Sequence, residues 1–354
     1  MGIQALEISE FIKLAEGGRT PVLDARSESE FSHARFPGAV NLPLLNDQER
    51  IEVGTIYKKK GREEAVLTGF RLVGPRFHEI ITRAKEIAPK REVLIYCWRG
   101  GMRSQIISWI LQLNGFKVML LKGGYKTYRN WVLETVSRPL NAIILGGPTG
   151  SGKTEILDQI RLLGGQVLQL EELANHKGSA FGALGKSGQP SNEHFENMIA
   201  MDCVRFDETK PVWIENESRS IGSNLLPPVI YETVRNSYLI QIRVGDDRRK
   251  KRILDEYGIF PKEILAATTE KIGKRLGPQH LKQALILLNQ GDLNGWLEIV
   301  LSYYDKLYAY GSTQRPAEKC FDIDLEHTDE KDFASTILAF AQKHLSNTPT
   351  IKVQ

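Results

Sequence analysis

Short apolar runs, each followed by a stretch with apolar residues at helical spacing, recur along the chain and set its predicted elements. Residues 21–25 (PVLDA) follow a Gly17-Gly18 turn, and residues 92–96 (EVLIY) have the make-up of a buried strand. Ile106, Ile107, Ile110 and Leu111 give residues 104–113 the spacing of a helix; residues 117–121 (KVMLL) then form a strand closed by Gly123 and Gly124. Alternation of this kind predicts an α/β fold with a parallel sheet covered by helices. Between Leu42 and Phe77 the pattern loosens and turns basic, with Lys58, Lys59, Lys60 and Arg62, and reads as an insertion. A second series starts at Asn141: residues 142–145 (AIIL), a Gly-rich turn, a helix over 153–163, and strands at 212–214 and 238–244. From Pro261 the pattern is mostly helical, ending with a strand at 320–323 and a helix near 329–344. Pro139 stops the helix before the second series, so the expected division is into residues 1–134 and 135–354.

Composition narrows the class. Of 354 residues 41% are apolar and 25% charged, too apolar for a disordered chain, and 3 cysteines are too few for a disulfide scaffold. No apolar run approaches the ~20 residues that span a bilayer, and MGIQALEISEF lacks the form of a signal peptide. The expectation is a cytoplasmic protein, not membrane-bound, with free thiols. The net charge of +4 does not by itself mark a nucleic-acid partner, so the local distribution of charge matters more.

The first candidate chemistry lies in YCWRGGMRS, residues 96–104. Cys97 ends a strand, Arg103 opens a helix, and Arg99, Gly100, Gly101 and Met102 must turn tightly between them. Backbone N–H groups converge in such a loop, and the helix N-terminus adds partial positive charge. That setting favours a thiolate at Cys97 and an anionic substrate beside it, with Arg99 and Arg103 adding charge. Cys203 and Cys320 have no such context and read as structural. The same residues also fit a Cys-x5-Arg phosphatase signature, although Tyr96 stands where those enzymes usually carry His.

The second lies in GGPTGSGKT, residues 146–154, which matches the G-x-x-x-x-G-K-[ST] template. Gly147, Thr149, Gly150, Ser151 and Gly152 supply a loop whose N–H groups wrap a phosphate. Lys153 neutralises its charge, and the Thr154 hydroxyl suits Mg²⁺. Residues 211–218 (PVWIENES) offer Glu215 and Glu217 where such proteins commonly carry Asp. Glu215 either holds Mg²⁺ through water or is a strand-end residue. The loop implies a phosphate or diphosphate ligand and does not specify ATP hydrolysis. Arg219 either reaches a phosphate or pairs with Glu217.

Residues 5–134 resemble rhodanese domains. DARSESEFSHARFPGAVNLP (24–43) is similar to that family's first-strand segment, and LKGGYKTYRNW (121–131) to its closing Gly-Gly and Trp. The resemblance implies that Cys97 carries sulfur or selenium and that Asp24 and Arg26 brace its loop. A rhodanese-like domain followed by a P-loop NTPase-like α/β domain with a helical C-terminal part is an unusual pairing. With VGTIYKKKGREEA (53–65), LEELANHKGSAFG (170–182), QPSNEHFEN (189–197) and WIENESRSIG (213–222), the chain resembles the tRNA 2-selenouridine synthase family. That resemblance implies modification of the wobble uridine in the tRNA anticodon arm. 2-Thiouridine is S-geranylated with geranyl diphosphate, and the geranylthio group is then replaced by selenium from selenophosphate, with possible contact to a selenophosphate-supplying enzyme. No tightly bound cofactor or resident metal is expected.

Arg248, Arg249, Lys250, Lys251 and Arg252, followed by Lys274 and Arg275, form two basic runs suited to a phosphate backbone, or to a lid over the P-loop. Competing readings are a small-molecule kinase fused to a sulfurtransferase or phosphatase-like domain, and a nucleotide-gated binding module.

Overall fold

Each predicted apolar run lies in a parallel strand of the computed structural model, which describes residues 3–312 and 315–345. The chain divides into two units, Met1–Thr135 with Pro190–Met201, and Val136–Gln189 with Asp202–Gln354. In the first, β1 (Gln4–Leu6), β2 (Val22–Asp24), β3 (Val40–Asn41), β4 (Glu92–Tyr96) and β5 (Lys117–Leu121) form a sheet ordered β1-β5-β4-β2-β3, parallel throughout. In the second, β6 (Ala142–Gly146), β7 (Gln166–Leu168), β8 (Val212–Glu215), β11 (Tyr238–Arg243) and β12 (Cys320–Asp324) form another parallel sheet, ordered β12-β11-β6-β8-β7. A short hairpin, β9 (Ser220–Ile221) with β10 (Asn224–Leu225), stands apart from both sheets. β4 and β6 are each the middle strand of five.

The strands read as unbroken apolar runs because a parallel sheet is covered on both faces. In the first unit Leu23, Val93, Ile95, Val118 and Leu120 pack with Ile107, Ile110 and Leu111 of the helix Met102–Leu113, and with Ile80 and Ala84 of Phe77–Ile87. In the second, Ile143, Leu145, Ile240 and Ile242 pack with Ile156, Leu157 and Ile160 of Lys153–Leu162 and with Phe333 and Ile337 of Phe333–Leu345. A separate helical core gathers Trp296, Leu265, Leu288 and Phe181. No described helix is long and apolar enough to cross a membrane.

Two departures from the sequence reading matter. The loose basic stretch contains two helices, Asp47–Lys60 and Arg62–Val73, joined at Gly61 (φ +91°). The first starts at a capping box between Asn46 and Glu49 and buries none of its side chains, so it carries no apolar stripe to read. The division is also not contiguous. Residues 190–201 group with the first unit because the fully buried Asn197 takes its partners there: its amide donates to Tyr125 Oη (2.8 Å) and the Arg35 carbonyl (3.0 Å).

Candidate functional site

At the carboxyl end of β4 the chain turns through Cys97, Trp98, Arg99, Gly100 and Gly101 into the helix Met102–Leu113. Gly100 takes φ +64°, and the loop is clamped by the Gly123-Gly124 turn. Tyr125 N donates to the Cys97 carbonyl (2.8 Å) and Lys126 N to that of Trp98 (3.0 Å). The approach leaves no space for a side chain: a Cβ at Gly124 would stand 2.2 Å from Cys97 O and 2.4 Å from Gly100 N. Cys97 is only 3% exposed and lies under the loop rather than on the surface. Ser104 Oγ sits 3.1 Å from both the sulfur and Gly101 O, so the first helical turn holds the thiol in place. Ser104, on that turn, was not singled out from sequence.

Beneath the loop, Asp24 and Arg26 form a fully buried ion pair (2.6 Å), with Arg26 also donating to the Ala34 carbonyl (2.7 Å). Tyr96 Oη donates to Asp24 (2.7 Å), and the Arg26 guanidinium lies 3.8 Å from the Tyr125 ring centre. Burial, then Asp24, hold the Tyr96 phenol well above its usual range. The pair reaches the loop through these two rings, which stack on each other with centroids 6.1 Å apart. Asp24 is thereby tied and is no free general acid of the phosphatase kind. Arg103 does not point charge into the loop: it pairs with Glu30 (2.6 Å), which burial pushes up but Arg103 pulls below the usual carboxylate range. Arg99 is exposed and makes no ion pair among the described residues.

At the carboxyl end of β6, Gly147 to Thr154 wrap into the N-terminus of Lys153–Leu162. Gly150 and Gly152 have φ +80° and +83°, and Cβ atoms at Gly147, Gly150 and Gly152 would meet Ile242, Ile253 and the Arg252 guanidinium at 2.6, 2.7 and 3.0 Å. Lys153 Nζ donates to Gly147 O (2.8 Å), Ser151 is buried with Oγ unpartnered, and Thr154 is exposed. The loop opens on a cavity of about 670 Å³. Thr149 lines it with Lys177, Gly178, Ser179, Glu217, Arg235, Arg252 and Arg275, and Ile253, Tyr257, Ile272, Tyr303 and Tyr304 form an apolar part.

Acidic groups crowd one wall. Glu215 accepts from Leu170 N (2.9 Å), while its Oε1 has no protein partner, nor does Asn216 Oδ1. Burial, then Glu171, push Glu215 up to about 8. Glu217 is raised too, by burial and by Glu171 and Glu215, against the pull of Lys153. Glu171 and Glu217 converge on Gly178, where a Cβ would meet both carboxyls. Glu171 lies far from β8 in sequence; the segment 170–182 that holds it carries the family resemblance, but only the fold brings it beside Glu215 and Glu217. Among the described residues no group of three or more His, Cys, Asp or Glu is placed to hold a metal ion. Arg219 is exposed, pairs with no carboxylate among the described residues and does not line the cavity.

The basic run on Asp246–Tyr257 is corrected by the structure. Arg249 is buried, donating to Thr149 O (3.0 Å) and pairing with Asp246 and Asp305 (2.9 and 2.5 Å). Arg252 donates to Gly150 O (2.9 Å) and pairs with Glu330 (3.0 Å). Arg248 donates to Thr328 O (2.7 Å) and Lys250 pairs with Glu298 (2.6 Å). Arg249 and Arg252 thus fasten the phosphate loop, while Arg248 and Lys250 tie down the helix that carries them; Arg249, buried and paired twice, is not free for RNA. Lys251, Lys274 and Arg275 remain exposed. Cys203 and Cys320 are half-buried free thiols, and burial pushes Cys203 up to about 12.

Comparison with known proteins follows the same division. A family profile described as tRNA 2-selenouridine synthase AAA domain matches residues 140–290, and one described as rhodanese-like domain matches residues 7–130. A tRNA 2-selenouridine synthase from Pseudomonas fluorescens is 35% identical over 326 residues, covering 82% of this chain and 88% of that one. One from Shewanella denitrificans is 34% identical over 357 residues, covering 91% and 96%. A solved N-terminal domain from a Clostridium difficile 630 protein described as ATP/GTP binding is 40% identical, covers 37% of this chain and 99% of that one, and has a TM-score of 0.35.

Two outcomes are expected. Gly124→Ala combines a left-handed backbone with a carbonyl in the way, and should cost more than about 2 kcal/mol in denaturant unfolding. Gly38→Ala, at φ +79° with nothing within 4 Å, should cost clearly less. Glu215 keeps a proton in the fold that the unfolded chain releases above its ordinary value of 4.5. Its contribution to stability is therefore complete below that value and is lost as pH rises to about 8. The slope is at most about 1.4 kcal/mol per pH unit. Thermal unfolding from pH 5 to 9 should show a shallower decline for Glu215→Gln, the remainder belonging to Glu217; an unchanged slope contradicts the assignment.

Proposed function

The chain belongs to the tRNA 2-selenouridine synthase family, and on that premise we propose that it is a two-step transferase acting on the wobble uridine in the anticodon arm of tRNA. In the first step the sulfur of 2-thiouridine attacks the first carbon of geranyl diphosphate. The C–S bond forms, the C–O bond breaks, diphosphate leaves, and the uridine loses its N3 proton. In the second, selenium from selenophosphate adds at the uracil ring carbon that bears the sulfur, the bond between that carbon and the sulfur breaks with geranylthiol as leaving group, and water takes the phosphoryl group as phosphate.

The observation that carries this reading is the pair of separate glycine loops, one with a thiol and one with a lysine, for a reaction with two phosphorylated donors. The diphosphate fits the loop of Gly147, Gly150, Gly152 and Lys153, where Lys153 neutralises the charge that develops on the leaving group. The prenyl chain fits the apolar part at Ile253, Tyr257, Ile272, Tyr303 and Tyr304. Mg²⁺ enters, if at all, with the diphosphate as part of the substrate, at the Thr154 hydroxyl. Selenophosphate fits the Cys97 loop, with exposed Arg99 as its cation, and Cys97 carries the selenium or positions its donor. A selenophosphate-supplying enzyme is the natural partner for that loop. Phosphate contacts to tRNA fall to the exposed Lys58, Lys59, Lys60, Lys251, Lys274 and Arg275. The reaction requires a compartment holding tRNA, which is the cytoplasm.

The steps separate by mutation. Lys153→Ala should lower geranylation of 2-thiouridine tRNA by about 100-fold or more while leaving selenation of pre-geranylated tRNA intact. Cys97→Ala should do the reverse. Nucleoside chromatography with mass detection reads both, and survival of both steps in Lys153→Ala overturns the assignment.

A further inference from the structure

One cavity has no part in the steps above. In the first unit a hollow of about 340 Å³ lies between the helices Asp47–Lys60 and Arg62–Val73 and the start of Met102–Leu113. We propose that it receives the acyclic prenyl chain of the S-prenylated uridine during the selenium step; the proposal rests on the two-step reading.

Its position is the first argument. Met102, Arg103 and Ile106 line the hollow, while Gly101 and Ser104 of the same turn hold the Cys97 sulfur. The i, i+3 and i, i+4 spacing puts the first three on one face of the helix, and one turn rises about 5 Å. Cys97 also lies in one buried cluster with Leu44, Leu45 and Val73 of the lining, so the loop and the hollow adjoin through the same core.

The lining is the second. Leu44, Leu45, Ala65 and Val73 are buried, whereas Tyr57, Phe70 and Met102 are 59%, 45% and 38% exposed, so the hollow opens to water past large apolar side chains. The helix Asp47–Lys60 buries none of its residues, so the space is left open rather than filled. The volume lies at the small end of ligand sites, about 300–1,000 Å³. Arg103 is neutralised by Glu30, and the other lining cation, Arg62, makes no ion pair among the described residues. An anion finds little here, and a peptide backbone would leave its polar groups unpaired against aliphatic walls. A flexible hydrocarbon chain asks for nothing else.

The test uses the full-length protein, selenophosphate, and anticodon stem–loop RNA carrying either S-geranyl- or S-methyl-2-thiouridine. The wild type should selenate the S-geranyl substrate about 30-fold faster or more, through the buried chain. Val66→Trp, which fills the hollow, and Phe70→Asp, at its mouth, should lower the S-geranyl rate to near the S-methyl rate and leave the latter unchanged. The preserved S-methyl rate shows that the variants fold. Equal loss on both substrates, or no loss on either, overturns the proposal. Equilibrium dialysis of radiolabelled S-geranyl-mercaptoethanol gives a second readout: binding by the wild type and not by Val66→Trp supports the hollow, and equal binding overturns it. If the wild type fails to selenate S-geranyl RNA, the two-step reading falls while dialysis still judges the hollow. Self-association abolished by Val66→Trp, without probe binding, assigns the face to a second copy and overturns the proposal.

Discussion

A missing side chain at a few positions lets both loops form. Gly124 lets the turn after β5 press onto the Cys97 loop, with carbonyl and amide atoms where a methyl group would be. Gly147, Gly150 and Gly152 let the second loop press onto Ile242, Ile253 and Arg252. Each loop leaves the carboxyl end of a middle strand and enters a helix N-terminus, where an open α/β sheet gathers its ligands. The rest of each site is built around that closeness.

What surrounds the loops is held by buried charge. In the first unit the Asp24–Arg26 pair is dry and reaches the loop through Tyr96 and Tyr125, so its worth lies in holding geometry rather than in net stability. In the second, Arg249 and Arg252 donate to loop carbonyls and are balanced by Asp246, Asp305 and Glu330. Glu215 and Glu217 stay protonated more readily than surface carboxyls, which limits the negative charge beside the phosphate loop.

The strands beside both loops were legible because covered parallel strands are unbroken apolar runs, and both loops because glycine spacing carries their geometry. The two-residue β3 was not, being too short to show a period, and β1 and β7 were also missed. The helix Asp47–Lys60 was missed because it buries nothing. Arg248 to Arg252 looked like one basic face; four of the five prove to be tied within the fold, which only tertiary partners such as Asp305 and Glu298 decide. Glu30, Ser104 and Glu171 lie in quoted segments, yet their contacts with Arg103, the Cys97 sulfur and the Glu215–Glu217 wall are made by the fold and were not read from spacing.

The central claim is that the two loops serve two successive steps on one uridine. Nucleoside mass spectrometry of tRNA from cells lacking the gene, complemented with the wild type or with Cys97→Ala, tests it most directly. The account predicts neither geranylthio- nor selenouridine without the gene, both with the wild type, and geranylthiouridine alone with Cys97→Ala. Selenouridine at wild-type levels in the Cys97→Ala cells would contradict it.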